Sequence, residues 1–278
     1  MAAVAAPDLA AVRALFSPEP GTAYLDAATY GLPPRPTYDA VDRAIRRWRD
    51  GSADWVEEWD RIGEQCRETF ARLIGSTSEE IALTPTVSAG VGLVAASLPP
   101  GSEVIVPAEE FTSVAFPLLA AERGRGVRVR EIPLAEVAGA VGPETALVAF
   151  SLVRAQSGEI APLADIVTAA RARGARVLVD ATHALPFVGV EGWLDGIDYL
   201  VCHGYKHLLC PRGAGFMHIA REAQADLIPY FSGWRSGAPF YGRSYGGPLT
   251  LLPSAAAFDL SLAWHSWAGA LPSLDLLA

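Results

Sequence analysis

The chain has 278 residues, of which 51% are hydrophobic and 19% charged, with a formal net charge of -9. This balance excludes disorder as the dominant state and supplies enough apolar material for at least one large, well-buried domain. The acidic excess argues against nucleic-acid binding, whose electrostatic footprint is basic.

Cys66, Cys202 and Cys210 are an odd number of thiols in a long chain, which points to a reducing cytoplasm rather than a disulfide framework. The Ala-rich start, residues 1–15, is interrupted by Asp8 and Arg13 and has no basic lead, so it does not read as a signal peptide. No apolar run reaches about 18 residues, so no membrane span is expected.

Residues 37–74 carry a helical pattern. Val41, Ala44, Ile45 and Trp48 fall at helix spacing, and after Gly51-Ser52 the pattern resumes through Trp55, Trp59, Ile62, Cys66, Phe70, Leu73 and Ile74. Asp54 suits an N-cap and Gly75 a C-terminal stop. Short β-like runs follow at 81–83, 103–106, 127–132, 146–150, 176–179, 199–202 and 213–218, with helical stretches at 88–97, 112–123 and 163–173. The alternation implies an α/β fold whose mostly parallel sheet carries helices on its faces. Such sheets bind ligands beyond the carboxyl ends of their strands. A loop rich in Gly, Pro and aromatics begins at Tyr230, helical character returns at 254–267, and the last residues read as part of another helix. The expected organisation is an N-terminal helical segment (1–75), a large domain (76–250) and the start of a C-terminal one (251–278).

Of 22 basic residues, only Lys206 is a lysine. It follows the run 199–202, and Asp180 ends the run 176–179, so both groups are expected just past strand ends, facing one ligand. A lysine amine with a carboxylate is the pair that pyridoxal phosphate needs: the amine bonds the aldehyde carbon and the carboxylate holds the ring nitrogen protonated. The same pattern is compatible with a loop-capping Asp and a chance Lys. Between 81–83 and the next helix, Thr84-Pro85-Thr86-Val87-Ser88 offers backbone N–H groups and hydroxyls to a phosphate. Gly90-x-Gly92-x-x-Ala95, with Glu109 further on, also fits a dinucleotide fingerprint, which keeps a nicotinamide-dependent oxidoreductase open as an alternative. His203 and His207 stand at i,i+4, but a zinc site lacks a third ligand and the Glu of a metalloprotease helix, so no metal is expected. Phe111 reads either as core or as a plate against an aromatic ring.

Together these positions resemble the class V aminotransferase superfamily of fold-type I pyridoxal-phosphate enzymes, which includes cysteine desulfurases, kynureninases, isopenicillin-N-epimerase-like proteins and cysteine C–S lyases. The resemblance runs through Tyr24-Leu25-Asp26-Ala27-Ala28-Thr29-Tyr30-Gly31, Val179-Asp180-Ala181-Thr182-His183-Ala184 and Gly204-Tyr205-Lys206-His207-Leu208-Leu209-Cys210-Pro211-Arg212-Gly213-Ala214-Gly215-Phe216. It implies a fold-type I large domain with a seven-stranded, mostly parallel sheet and a truncated C-terminal small domain. It implies pyridoxal 5'-phosphate as cofactor, Lys206 as its Schiff-base lysine and Asp180 as partner of the ring nitrogen. His183 and Gln156 would lie near the phenolic oxygen, Phe111 would stack on the ring, and Thr86, Val87, Ser88, His203 and Tyr205 would cradle the phosphate. Lys206, Asp180, His183 and His203 are the candidate catalytic residues, and Thr29, Tyr30, Arg235 and Arg243 candidates for the substrate.

The resemblance further implies a homodimer acting on a small amino acid, with neither nucleic acid nor membrane as partner. The Gly233-Trp234-Arg235 loop and Phe258-Asp259-Leu260-Ser261-Leu262-Ala263-Trp264 resemble the branch with hercynylcysteine sulfoxide lyases, so C–S cleavage of an S-substituted cysteine or its sulfoxide is the leading expectation. Desulfuration, epimerisation, transamination and a binding protein without activity stand as alternatives.

Overall fold

The computed structural model describes residues 8–242 and 244–278. The start of the segment judged not to be a signal peptide, residues 1–7, and the substrate candidate Arg243 lie outside the described residues.

The first element among the described residues is a single helical turn, α1 (Leu9–Arg13), capped by the Asp8 carboxylate. Helix α2 (Arg35–Asp50) begins with a proline in its first turn, where the missing N–H costs nothing, and ends at Gly51 in the left-handed region. Asp54 caps the next element as expected, accepting from the Val56 and Glu57 N–H groups, but that element is a π-helical turn, Trp55–Asp60. It continues as α3 (Arg61–Ile74), which Gly75 terminates with φ 75°.

Strand and helix then alternate: β1 (Ile81–Thr84), α4 (Val87–Ser97), β2 (Glu103–Pro107), α5 (Thr112–Arg125), β3 (Arg128–Ile132), the short α6 (Val137–Ala140), β4 (Thr145–Ser151), α7 (Leu163–Arg173), β5 (Arg176–Asp180), β6 (Tyr199–His203) and β7 (Gly215–Ile219). All seven expected strands are present within two residues of their expected ends. They form one sheet in the order β1-β7-β6-β5-β4-β2-β3, in which β7 runs antiparallel to both neighbours and the remaining pairs are parallel.

Both faces of the sheet are buried, and alternate strand residues serve opposite faces. Val177, Val179, Leu200 and Cys202 join Phe70, Phe150, Phe216 and Trp267 on one side. Leu178, Tyr199 and Val201 join Val91, Val94, Leu118 and Met217 on the other. The edge strand β3 exposes Arg128, Arg130 and Glu131, charges that discourage edge-to-edge pairing.

The chain's last helix, α8 (Trp264–Leu277), packs beside α2, with Thr37 and Ser273 hydroxyls 2.5 Å apart and buried. A Cβ on Gly269 would meet Val41 at 2.6 Å, so the glycine allows this close approach. The expected helix at 254–267 is corrected. Only a 3-10 turn, Ala255–Phe258, forms before an extended stretch leads into α8. The stretch lies against β1: Leu83 N–H donates to the Asp259 carboxylate at 2.8 Å, and Leu260 N–H donates to the Leu83 carbonyl at 3.2 Å. These bonds to the sheet replace those of a helix. No helix among the described residues is long and apolar enough to cross a membrane.

Candidate active site

The parallel register sets Ser151 of β4 opposite Asp180 of β5, and Asp180 opposite Val201 of β6. The carboxyl ends of three adjacent strands therefore deliver Ser151, Asp180 and His203 to one edge. Val87, Phe111, Ser113, Thr182, His183, Tyr205 and Lys206 complete the walls of a cleft there. Lys206 is only 6% exposed.

Each side chain is placed by its own local device. After β5, the Asp180 carboxylate accepts from the Thr182 N–H at 2.9 Å, and the Thr182 hydroxyl accepts from the His203 N–H at 3.0 Å, joining two strand ends. Beyond β2, Glu109 adopts φ 61°. The Glu110 carboxylate then accepts from Ser151 N–H at 2.9 Å and Ser151 Oγ at 2.5 Å, and from Phe111 N–H at 2.7 Å. This clamps the Phe111 turn to β4. The ring centroid of Phe111 lies 5.3 Å from Lys206 Nζ, and that of Tyr205 5.9 Å. His203 and Tyr205 meet edge to face with centroids 4.3 Å apart.

Electrostatics follow from burial in this cleft. Desolvation pushes the Asp180 carboxyl up to about 6, with Glu110 adding to the rise while Thr182 and Lys206 oppose it. Burial lowers the Lys206 amine, against the pull of Asp180 and Cys202. Burial, with Lys206 and His207 nearby, brings the His183 imidazole down to about 4. Burial, then Arg212 and Lys206, does the same to His203. Both histidines are thus neutral near pH 7, and the amine is more easily deprotonated than an exposed lysine.

The remaining expected residues separate. Thr86 caps α4 and accepts from the Ala89 N–H at 3.1 Å, leaving the first-turn amides of Val87 and Ser88 without helical partners. Thr29 and Tyr30 line a neighbouring cavity that shares Tyr205 with the cleft. Gln156 is exposed and lines a third hollow, on the Phe111 side, rather than the Lys206 cleft. Arg235 is corrected: it is 1% exposed and held by Asp60, Glu64 and, at 3.1 Å, Asp259. Its charge is neutralised inside the fold. His203 ends β6 and His207 lies in the following turn, so their spacing is not helical.

Gly90 sits inside α4, where a Cβ would come within 2.9 Å of Val201. Gly90 thus serves helix-to-sheet packing, whereas a Cβ on Gly92 would meet nothing within 4 Å. Sequence reasoning did not single out Glu110, Ser151, Thr182 or Ser113. Glu110 adjoins Phe111, and Ser151 and Thr182 adjoin strand ends, which is the only signal they carried.

The cleft fits pyridoxal phosphate. Nδ1 of His203 is buried on its wall without a partner among the described residues, as expected of a group reserved for a ligand. A buried carboxylate, a buried amine, an aromatic plate and free helix-start amides match the ring nitrogen, aldehyde, ring face and phosphate of that one molecule. A family model described as aminotransferase class V matches residues 23–237, and the chain belongs to that family.

Among relatives, it is 34% identical to an isopenicillin N epimerase of Streptomyces clavuligerus, over 63% of this chain and 47% of that protein. It is 29% identical to a probable cysteine desulfurase of Aeropyrum pernix, over 77% of this chain and 56% of the relative. A cystine C–S lyase solved with its product cysteine persulfide has the same fold, with TM-score 0.83 and 22% identity, covering 92% of this chain and 72% of that one. The chain spans about half the length of these two curated relatives.

Proposed function

We propose that this protein cleaves the C–S bond of an S-substituted cysteine or its sulfoxide. Its cofactor is pyridoxal 5'-phosphate, and it is an enzyme of the group containing cysteine desulfurases, epimerases and kynureninases. When bound, the cofactor supplies an electron sink for the carbon beside the substrate's amino group. Val87, Ser88 and Thr86 would hold the phosphate, with His203 and Tyr205 alongside. Phe111 would cover the ring, Asp180 would hold a proton at the ring nitrogen, and Lys206 would make the covalent attachment. The Lys206 amine would serve as general base toward the α-proton, a role its lowered proton affinity favours.

The observation that carries the reading is the meeting of the buried Lys206 amine and buried Asp180 carboxylate in one cleft at adjacent strand ends. Desulfuration by Cys66, Cys202 or Cys210 is disfavoured, because all three are buried and burial raises each above the ordinary thiol range. A sulfur-carrying cysteine must be a reachable thiolate. The reading includes a homodimer, supported by exposed Leu25, Phe187 and Leu249, and a reducing cytoplasm, supported by the unpaired thiols.

The test is a visible absorbance band on adding pyridoxal phosphate, absent in Lys206→Ala, followed by pyruvate release from S-substituted cysteines and their sulfoxides. Inversion at the α-carbon without pyruvate would establish an epimerase instead, and sulfane sulfur on a cysteine a desulfurase. Sedimentation velocity reads the dimer.

A further inference from the structure

Lys206 Nζ lies 2.7 Å from His183 Nε2, and His183 Nδ1 lies 3.4 Å from His207 Nε2. The three residues come from two loops, after β5 and after β6, and form one line of alternating nitrogen atoms. His207, at its outer end, is partly exposed and packs against the exposed ring of Phe187, with centroids 5.5 Å apart. The innermost atom is the amine that must gain and lose a proton, and the outermost ring reaches water.

We propose that His183 and His207 form a relay that carries protons between the Lys206 amine and solvent, with His207 as a positioning residue that accepts from His183 Nδ1. The proposal rests on the reading of Lys206 as the catalytic amine.

In the outward direction, the N–H bond of the Lys206 ammonium breaks and a proton joins His183 Nε2. The Nδ1 proton of His183 passes to His207 Nε2, and His207 Nδ1 releases its own to water. The net change is one proton delivered to solvent. Both rings end neutral in the opposite tautomer, and running the line backwards restores them. A neutral imidazole is required, because only that form has a donor on one nitrogen and an acceptor on the other. Burial of His183 and His207, beside the Lys206 charge, lowers both rings and so favours that form. The line needs His at both positions. An amide at 183 could hold the same hydrogen bonds but could not pass a proton.

The test uses two readouts on wild type, His207→Phe and His207→Gln. In cofactor-free protein with 15N-labelled histidine, NMR gives the tautomer of His183. The relay requires Nδ1–H in wild type, the form in which Nε2 accepts from Lys206 while Nδ1 donates to His207. In protein loaded with pyridoxal phosphate, deuterium wash-in at the α-carbon of L-alanine in D2O reports exchange of the Lys206 proton with solvent. Wash-in should fall by about tenfold or more in both variants, below the usual effect of a positioned acid–base group, and added imidazole should restore it in His207→Phe. An Nε2–H tautomer of His183 in wild type, or wild-type wash-in in His207→Phe, would overturn the relay. A wild-type protein that develops no absorbance band would instead overturn the cofactor reading, an outcome the cofactor-free tautomer measurement does not share.

Discussion

Gly31 presses against Lys206: its N–H donates to the Tyr205 carbonyl at 2.8 Å, and a Cβ at Gly31 would stand 2.2 Å from the Lys206 carbonyl oxygen. The N-terminal segment thus braces the turn carrying the reactive amine, and only a residue without a side chain fits. Because the obstructing atom is backbone, it cannot swing aside. Gly31→Ala is expected to destabilise the protein by about 1–3 kcal/mol, the usual cost of overpacking, and to weaken cofactor binding. Denaturant unfolding reads the first effect and absorbance titration the second; unchanged values in both would refute the bracing role.

Asp180 makes stability depend on pH in a direction unusual for a carboxylate. It keeps its proton in the fold up to about pH 6 but loses it near 3.8 when unfolded, so its contribution declines as pH rises between those values. His183 and His203 act oppositely. They stay neutral in the fold down to about 4 but charge below 6.5 when unfolded, so they weaken the fold as pH falls. Two histidines outweigh one carboxyl, and the site as a whole loses stability on acidification. Asp180→Asn removes the opposing contribution, and the loss between pH 6.5 and 4 should steepen. Unfolding free energies of cofactor-free protein across that range measure it, and a shallower profile would contradict the assignment.

Arg235 holds three carboxylates, of which Asp60 and Asp259 are fully buried. Arg67 shares Asp259 and Glu64 with it. Replacing Arg235 by Met leaves uncompensated buried charge and is expected to cost about 3–5 kcal/mol. The double variant Arg235→Met, Asp60→Leu should recover part of that loss. Urea denaturation of the three proteins reads this coupling, and additive losses would show that Arg235 does not compensate Asp60.

Phe111 is 44% exposed, too open to be a core residue, and its turn is clamped by Glu110. Its value therefore lies in what it covers. Phe111→Ala should weaken pyridoxal phosphate binding by about tenfold, the upper range for an aromatic contact, whereas Phe111→Tyr should hold it near wild type. Titration of the visible band measures both, and equal affinities in the two variants would remove Phe111 from the cofactor site.

Much of the fold was legible in the residues themselves. Apart from the charged edge strand β3, the strands are short runs buried on both faces, and α7 has the bounds that its flanking Pro162 and Gly174 suggest. The region from 254 to 267 misled because its apolar content suits a helix, whereas Asp259 is drawn onto Arg67, Arg235 and the Leu83 N–H. Those partners are distant in sequence, and no local periodicity reports them.

The sequence by itself determined the α/β alternation, the strand-end Asp180 and the single Lys206, because hydrophobic patterning is local and strand ends define where ligands bind. Only the tertiary structure decided that Arg235 belongs to a buried ion cluster, that Gln156 lies outside the cleft, and that His207 meets His183. Each depends on contacts between loops separated in the chain. Their geometry is set by sheet order and register, which propensity and spacing do not encode.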